Sequence, residues 1–210
     1  VTRPGAPGHL FAGTTYGDHA EAQRLIDHVK TIHGRVAGTL PDGTAYSADD
    51  ADLLTWVHVA EVTSFLNAYL TYVDPAFPPA EQDRYFAEVA EIARRLGATD
   101  VPTDRAQIAA YLESVRPALR YDERTRQVAH ALLSQKPPSV AAAPAFRAAF
   151  DAAKALLPDW AARMHGFAMW APRRAATRLS IQALGRTMRW ALVNSAEARA
   201  RRRAAELMGV

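Results

Sequence analysis

Residues 48–73, ADDADLLTWVHVAEVTSFLNAYLTYV, constrain this chain more than any other stretch. Asp49, Asp50 and Asp52 suit the positive end of a helix dipole. From Leu53 to Val73 the only formal charge is Glu61, and apolar residues fall on nearly every side of the implied helix. Such a helix has little polar face to give to water. It predicts an all-α fold, a single-domain multi-helix bundle packed around one buried central helix. No stretch alternates with period two for long enough to predict a strand.

The helix before it is amphipathic. Ala22, Leu25, Ile26, Val29, Ile32 and Val36 recur at steps of three and four, which is one helical stripe. His33 falls inside that stripe toward one edge, and His28 falls at the opposite edge. Pro41, Asp42 and Gly43 mark the intervening turn. Beyond it, Leu54, His58, Val62 and Phe65 line one face of the central helix, with Glu61 one turn past His58. A buried imidazole needs a partner, because an unpaired buried polar group is costly. That partner is a backbone carbonyl, a carboxylate such as Glu61, or a metal ion. Spacing does not choose among them, and a histidine on an apolar face is often a satisfied core residue.

Turn chemistry sets the other boundaries. Residues 1–17 are Gly/Pro-rich and read as an irregular segment. Asp18-x-x-Glu21 approximates a capping box and opens the first helix, which ends near Arg35–Gly38. Pro78 and Pro79 launch the helix that Gly97 stops. Thr103 caps the next, to Leu119, and a fifth covers 122–134. The loop QKPPSVAAAP, residues 135–144, offers the clearest internal boundary. Helices near 145–157, 159–170 and 173–193 follow, then a short Arg-rich helix over 195–207. The expected organisation is an irregular segment over 1–17, one helical domain over 18–194 and a basic tail over 195–210, with about eight or nine helices in all.

Several chemistries are excluded. The 210 residues contain no cysteine, so disulfides, thiolate-bound haem and iron–sulfur clusters are ruled out. Paired Glu-x-x-His motifs, His-Glu-x-x-His, a phosphate loop and a Gly-x-Ser-x-Gly elbow are all missing. No secretory signal or membrane-length apolar run is found, so a cytoplasmic location is expected. His9, His19 and His130 read as surface residues, and His165 reads as core packing among Met164, Phe167 and Met169. From Asp159 onward there are ten arginines against three acids. That imbalance reads first as a solvated helix face.

The run IHGRVAGTLPDGTAYSADDADLLTWVHV resembles the signature of the MpaB/rubber-oxygenase (latex-clearing protein) catalytic-domain family. The resemblance rests on His33, Val36 and Gly38, then Asp42, Gly43 and Tyr46, then Leu53, Leu54, Trp56, Val57 and His58. AEQDRYFAEVAEIARRLG resembles the family's next helix, and Leu157, Pro158 and Trp160 its C-terminal Leu-Pro turn. The resemblance spans roughly Thr14 to Trp190. The N-terminus departs from the family pattern: residues 1–17 contain no Arg-x-x-x-Thr, so that part of the pocket wall is expected to be missing.

The resemblance implies an all-α fold holding one haem b, with His33 as axial iron ligand and His58 as a second histidine near the pocket. It implies an oxygenase that uses dioxygen on an apolar, isoprenoid-like substrate. Gly34 and Gly38 would let a flat macrocycle approach the backbone, and Glu61 would orient His58 or relay protons. Two other readings stand beside it. One is a haem-free interaction protein that kept the scaffold. The other is a basic module contacting a membrane surface or nucleic acid through the C-terminal arginines, although no nucleic-acid motif is present and the net charge is only +3.

Overall fold

The computed structural model describes residues 7–40, 42–191 and 205–206. The chain is all-α apart from one small hairpin, as the apolar helix demanded. Its described elements are α1 (Pro7–Tyr16), α2 (His19–His33), β1 (Ala37–Thr39), β2 (Ala45–Ser47), α3 (Ala51–Tyr72), α4 (Pro79–Leu96), α5 (Arg105–Val115), α6 (Glu123–Leu133), α7 (Ala143–Ala155), α8 (Asp159–Met164) and α9 (Ala171–Ala191). A single 3-10 turn at Arg116–Ala118 follows α5. The expected basic helix over 195–207 lies almost wholly outside the described residues.

Two compact units divide the chain. The first comprises Val1–Glu61, Asp83–Arg105 and Leu192–Val210; the second comprises Val62–Gln82 and Ala106–Ala191. The loop at 135–144 therefore lies inside the second unit.

In the first unit, the expected irregular N-terminal segment is instead largely helical. Gly13 explains why a Gly-rich stretch can be a helix here. A Cβ at Gly13 would collide with the Leu25 side chain, so the missing side chain lets α1 pack closely on α2. Asp18 caps α2 by accepting from the Glu21 backbone N–H at 2.7 Å. The hairpin also departs from the expected turn. Its strands are three residues each, too short for alternation to register. Ala37 pairs with Ser47, Gly38 with Tyr46 and Thr39 with Ala45. Turn chemistry closes it: the Asp42 carboxylate accepts from the Thr44 N–H at 3.0 Å, and Gly43 adopts φ +88°.

The core of this unit lies between α3 and α4. Leu54, Ala90, Ala93, Ala98 and Val101 form one buried cluster, with Val59 and Phe86 also buried. Ala90 and Ala93 are on the buried face of α4, and their small side chains permit close approach. Gly97, at φ +116°, closes α4 as anticipated, with the Ala98 N–H bonded to the Ala93 carbonyl at 3.0 Å. Thr55 is the one buried polar residue of the described core; its hydroxyl reaches the carbonyls of Ala51 at 2.9 Å and Thr99 at 2.8 Å. Asp83 anchors the start of α5 by accepting from the Arg105 guanidinium at 2.8 and 3.2 Å.

The central helix α3 is buried along one side rather than all round. Leu54, Thr55 and Val59 are covered, while Leu53 and Val57 are exposed, Val57 to 52%. The same split continues into the second unit, where Val62 and Leu66 are buried and Phe65 and Tyr69 are exposed. An all-round apolar sequence specifies that a helix can be buried, not that every face finds a neighbour.

In the second unit, Ile108, Ala152, Ala161 and Ala162 are buried. Tyr72 ties α3 to α7 through its hydroxyl and the Ala152 carbonyl at 3.2 Å, and Gln182 of α9 donates to the Thr71 carbonyl at 3.4 Å. The helix expected over 159–170 stops at Met164. Gly166 takes φ +67°, and the Phe167 N–H bonds back to the Ala162 carbonyl at 2.8 Å, which is a Schellman termination.

The buried hydroxyl of Thr55 yields a prediction. Thr55→Val keeps the shape but leaves the Thr99 carbonyl without this donor, and is expected to cost about 1–2 kcal/mol. Chemical denaturation should show a lower midpoint with an unchanged slope.

Candidate active site

The two candidate histidines occupy different settings within the first unit. His33 is the last residue of α2, half-buried, with Gly34 as the C-cap. Its Nδ1 is buried and has no hydrogen-bond partner among the described residues. That is the orphaned imidazole nitrogen that burial normally forbids. The stripe that carries His33 is buried at Ile26, and at its C-terminal end Ile32 and Val36 are exposed. Gly34 has only the Lys30 carbonyl, at 3.5 Å, near the place a Cβ would take, so the space over its Cα is open. Gly38, in β1, is different. A Cβ there would stand 2.8 Å from Tyr46 Oη and 2.9 Å from its ring, so the Tyr46 side chain occupies that space.

His58 sits midway along α3, half-buried. Burial first, and the positive charge of Arg94 second, hold its imidazole down to about 4 from an ordinary 6.5. It is therefore neutral throughout the physiological range. Glu61, one turn on, is also half-buried, and burial raises its carboxyl above the ordinary range. Across from α3, Tyr85 of α4 is pushed up to about 12 by burial and by the negative charge of Glu61. The structure thus groups His58 and Glu61 with Tyr85 and Arg94. No hydrogen bond, ion pair or ring contact joins His33 to His58 among the described residues. Sequence reasoning missed Tyr85 and Arg94. Both lie on a helix with an ordinary amphipathic pattern, and only the pairing of α3 with α4 gives them meaning.

The other histidines are elsewhere. His19, His28 and His130 are exposed; His19 faces the Arg95 guanidinium at 3.3 Å. In the second unit, His165 packs edge-on to Tyr121 at 4.6 Å and stacks on Phe167 at 5.5 Å, with its Nδ1 buried and unpaired. Among the described residues, no group of three or more His, Asp or Glu side chains is arranged to hold a metal ion. A haem iron needs no such cluster, since one imidazole can anchor it. At the end of α2 the structure offers an imidazole with one unpaired nitrogen beside a glycine whose Cβ position is nearly open. No described helix is long and apolar enough to cross a membrane.

The family model for the catalytic domain of ER-bound oxygenase mpaB/B′ and rubber oxygenase matches residues 7–190. The chain belongs to this family. The match runs from the start of α1 almost to the end of α9, well beyond the His33–His58 block. No curated protein and no solved structure matches the chain.

The titration of this oxygenase domain should report the burial of His58. A histidine whose folded pKa lies below its unfolded value withholds a proton that the unfolded chain accepts. Stability is then expected to fall as pH drops from about 6.5 toward 4, by about 2 kcal/mol after allowing for the partly exposed ring. The raised carboxyl of Glu61 has the opposite sign and offsets part of this loss. Denaturation midpoints measured from pH 7 to 4 should fall less steeply for His58→Phe than for the parent.

Proposed function

We propose that this member of the oxygenase family depends on haem b, with His33 as the axial iron ligand. Its substrates are dioxygen and an apolar, isoprenoid-like alkene. The observation that carries the reading is the buried, partnerless Nδ1 of His33 at the end of α2, on the residue that matches the family's axial histidine. A buried imidazole nitrogen left without a protein partner supports a role in holding an external one. Gly34 leaves room beside it, and Tyr46, seated over Gly38, supplies an aromatic wall on the same side of the hairpin.

Haem b, when bound, supplies the capture and activation of dioxygen. The chain's own groups handle position and protons. His58 is uncharged at neutral pH because burial and Arg94 disfavour the imidazolium, so it offers one donor and one acceptor without adding charge to its half-buried surroundings. Glu61, whose carboxyl burial raises above the ordinary range, holds its proton more tightly than a surface carboxylate. Tyr85 stays protonated and acts only as a neutral hydroxyl. His58 and Glu61 are assigned as the catalytic pair, one turn apart on a rigid helix.

Absorbance tests this directly. Protein from haem-replete cells should show a Soret band that His33→Ala reduces at least tenfold, while His58→Ala keeps it. A colourless parent protein whose melting midpoint does not rise on adding hemin would overturn the assignment, because tight binding to the native state must raise that midpoint.

A further inference from the structure

The C-terminal arginines carry an inference that the oxygenase reading does not use. Within the second unit, α8, α9 and the end of α3 border a half-open groove of about 730 Å³. That volume is within the range of small-molecule sites. Its α9 wall consists of Ala171, Arg174, Ala175 and Arg178, which is a single helical stripe at steps of three and four. Alanine and arginine therefore divide that wall into an apolar floor and a cationic rim. Arg163 of α8 adds a third guanidinium, and Tyr72 closes the side made by α3.

The three arginines are not equivalent. Arg174 donates to Asp159 at 3.2 Å, which neutralises it and pins α9 to α8. Arg163 and Arg178 have no acidic partner among the described residues. The charge of Arg178 reaches Tyr72, where it works against the rise that burial imposes on the phenol. The groove thus carries three guanidinium groups against the single carboxylate of Asp159, and two of the three have no ion-pair partner among the described residues. The arginine side chains are exposed at the mouth of the groove, and its walls are cross-tied by Tyr72 to the Ala152 carbonyl and by Gln182 to the Thr71 carbonyl. Arg173, next in sequence to Arg174, points away into an ion pair with Asp151 at 3.5 Å.

We propose that this groove is a binding site for an amphiphilic anion, whose carboxylate or phosphate head pairs with Arg163 and Arg178 while its hydrocarbon body lies along Ala171 and Ala175. Arginine suits both head groups through its planar fork of donors. The site is separate from His33 and His58, and its occupation does not depend on haem.

Isothermal titration calorimetry of the full chain with decanoate, decyl phosphate, decanol and inorganic phosphate tests it. Decanoate or decyl phosphate should bind at least tenfold more tightly than decanol and than inorganic phosphate. Which of the two binds better identifies the head group. Arg163→Gln and Arg178→Gln should each weaken that binding about tenfold, and Arg173→Gln should leave it unchanged. Melting curves for each variant confirm that the fold is retained. Equal binding of decanol, equal binding of inorganic phosphate alone, or folded Arg163→Gln and Arg178→Gln variants with parental affinity would each overturn the proposal.

Discussion

The packing of α3 on α4 in the first unit is the contact on which the site depends. Leu54 and Val59 on one helix, and Ala90 and Ala93 on the other, are buried almost completely. Alanine at the crossing lets the two helices lie close, and every interior void that size would forfeit dispersion contacts. Closeness has an electrostatic consequence. Groups at the margin of that seam lose water, and their charged states become unfavourable. His58 is driven neutral, Glu61 holds its proton more firmly and Tyr85 keeps its own. One apolar contact therefore places several ionisable groups in unusual states together.

A second constraint comes from how α2 ends. Gly34 caps the helix, and the chain turns at once into a short hairpin whose first strand holds Gly38 against Tyr46. His33 is thereby left at a helix terminus, where backbone geometry is fixed but one imidazole nitrogen has no protein partner. Such an arrangement would be a defect in a simple scaffold, since a buried unsatisfied donor or acceptor costs about 1–3 kcal/mol. The proposed role of His33 as a haem ligand would give that nitrogen a partner.

The second unit works by cross-ties rather than by a large apolar core. Half of its described buried residues are alanine, and the C-terminal end of α3 is held by side chain-to-carbonyl bonds through Tyr72 and Gln182. Beside that end lies the half-open groove bordered by Arg163, Arg174 and Arg178. Arginines that look alike in sequence separate here into those matched by Asp151 or Asp159 and those left facing the groove.

Much was legible from residues alone. The apolar run at 53–73 required a helical fold, Asp18 and Gly97 marked helix ends that the structure keeps, and the His33–His58 block carried the family. These features are local, set by propensity, capping and spacing within a few residues. What stayed hidden depended on partners distant in sequence. Gly13 looked like a breaker until Leu25 was found against it, the three-residue strands were too short to show a period, and α3 proved to have a bare side. Sequence by itself determined the helical class and the family, because both follow from side-chain type and short-range order. Only the tertiary structure decided which residues lost water and which arginines found a carboxylate partner, because desolvation and ion pairing are properties of what lies across the gap between elements.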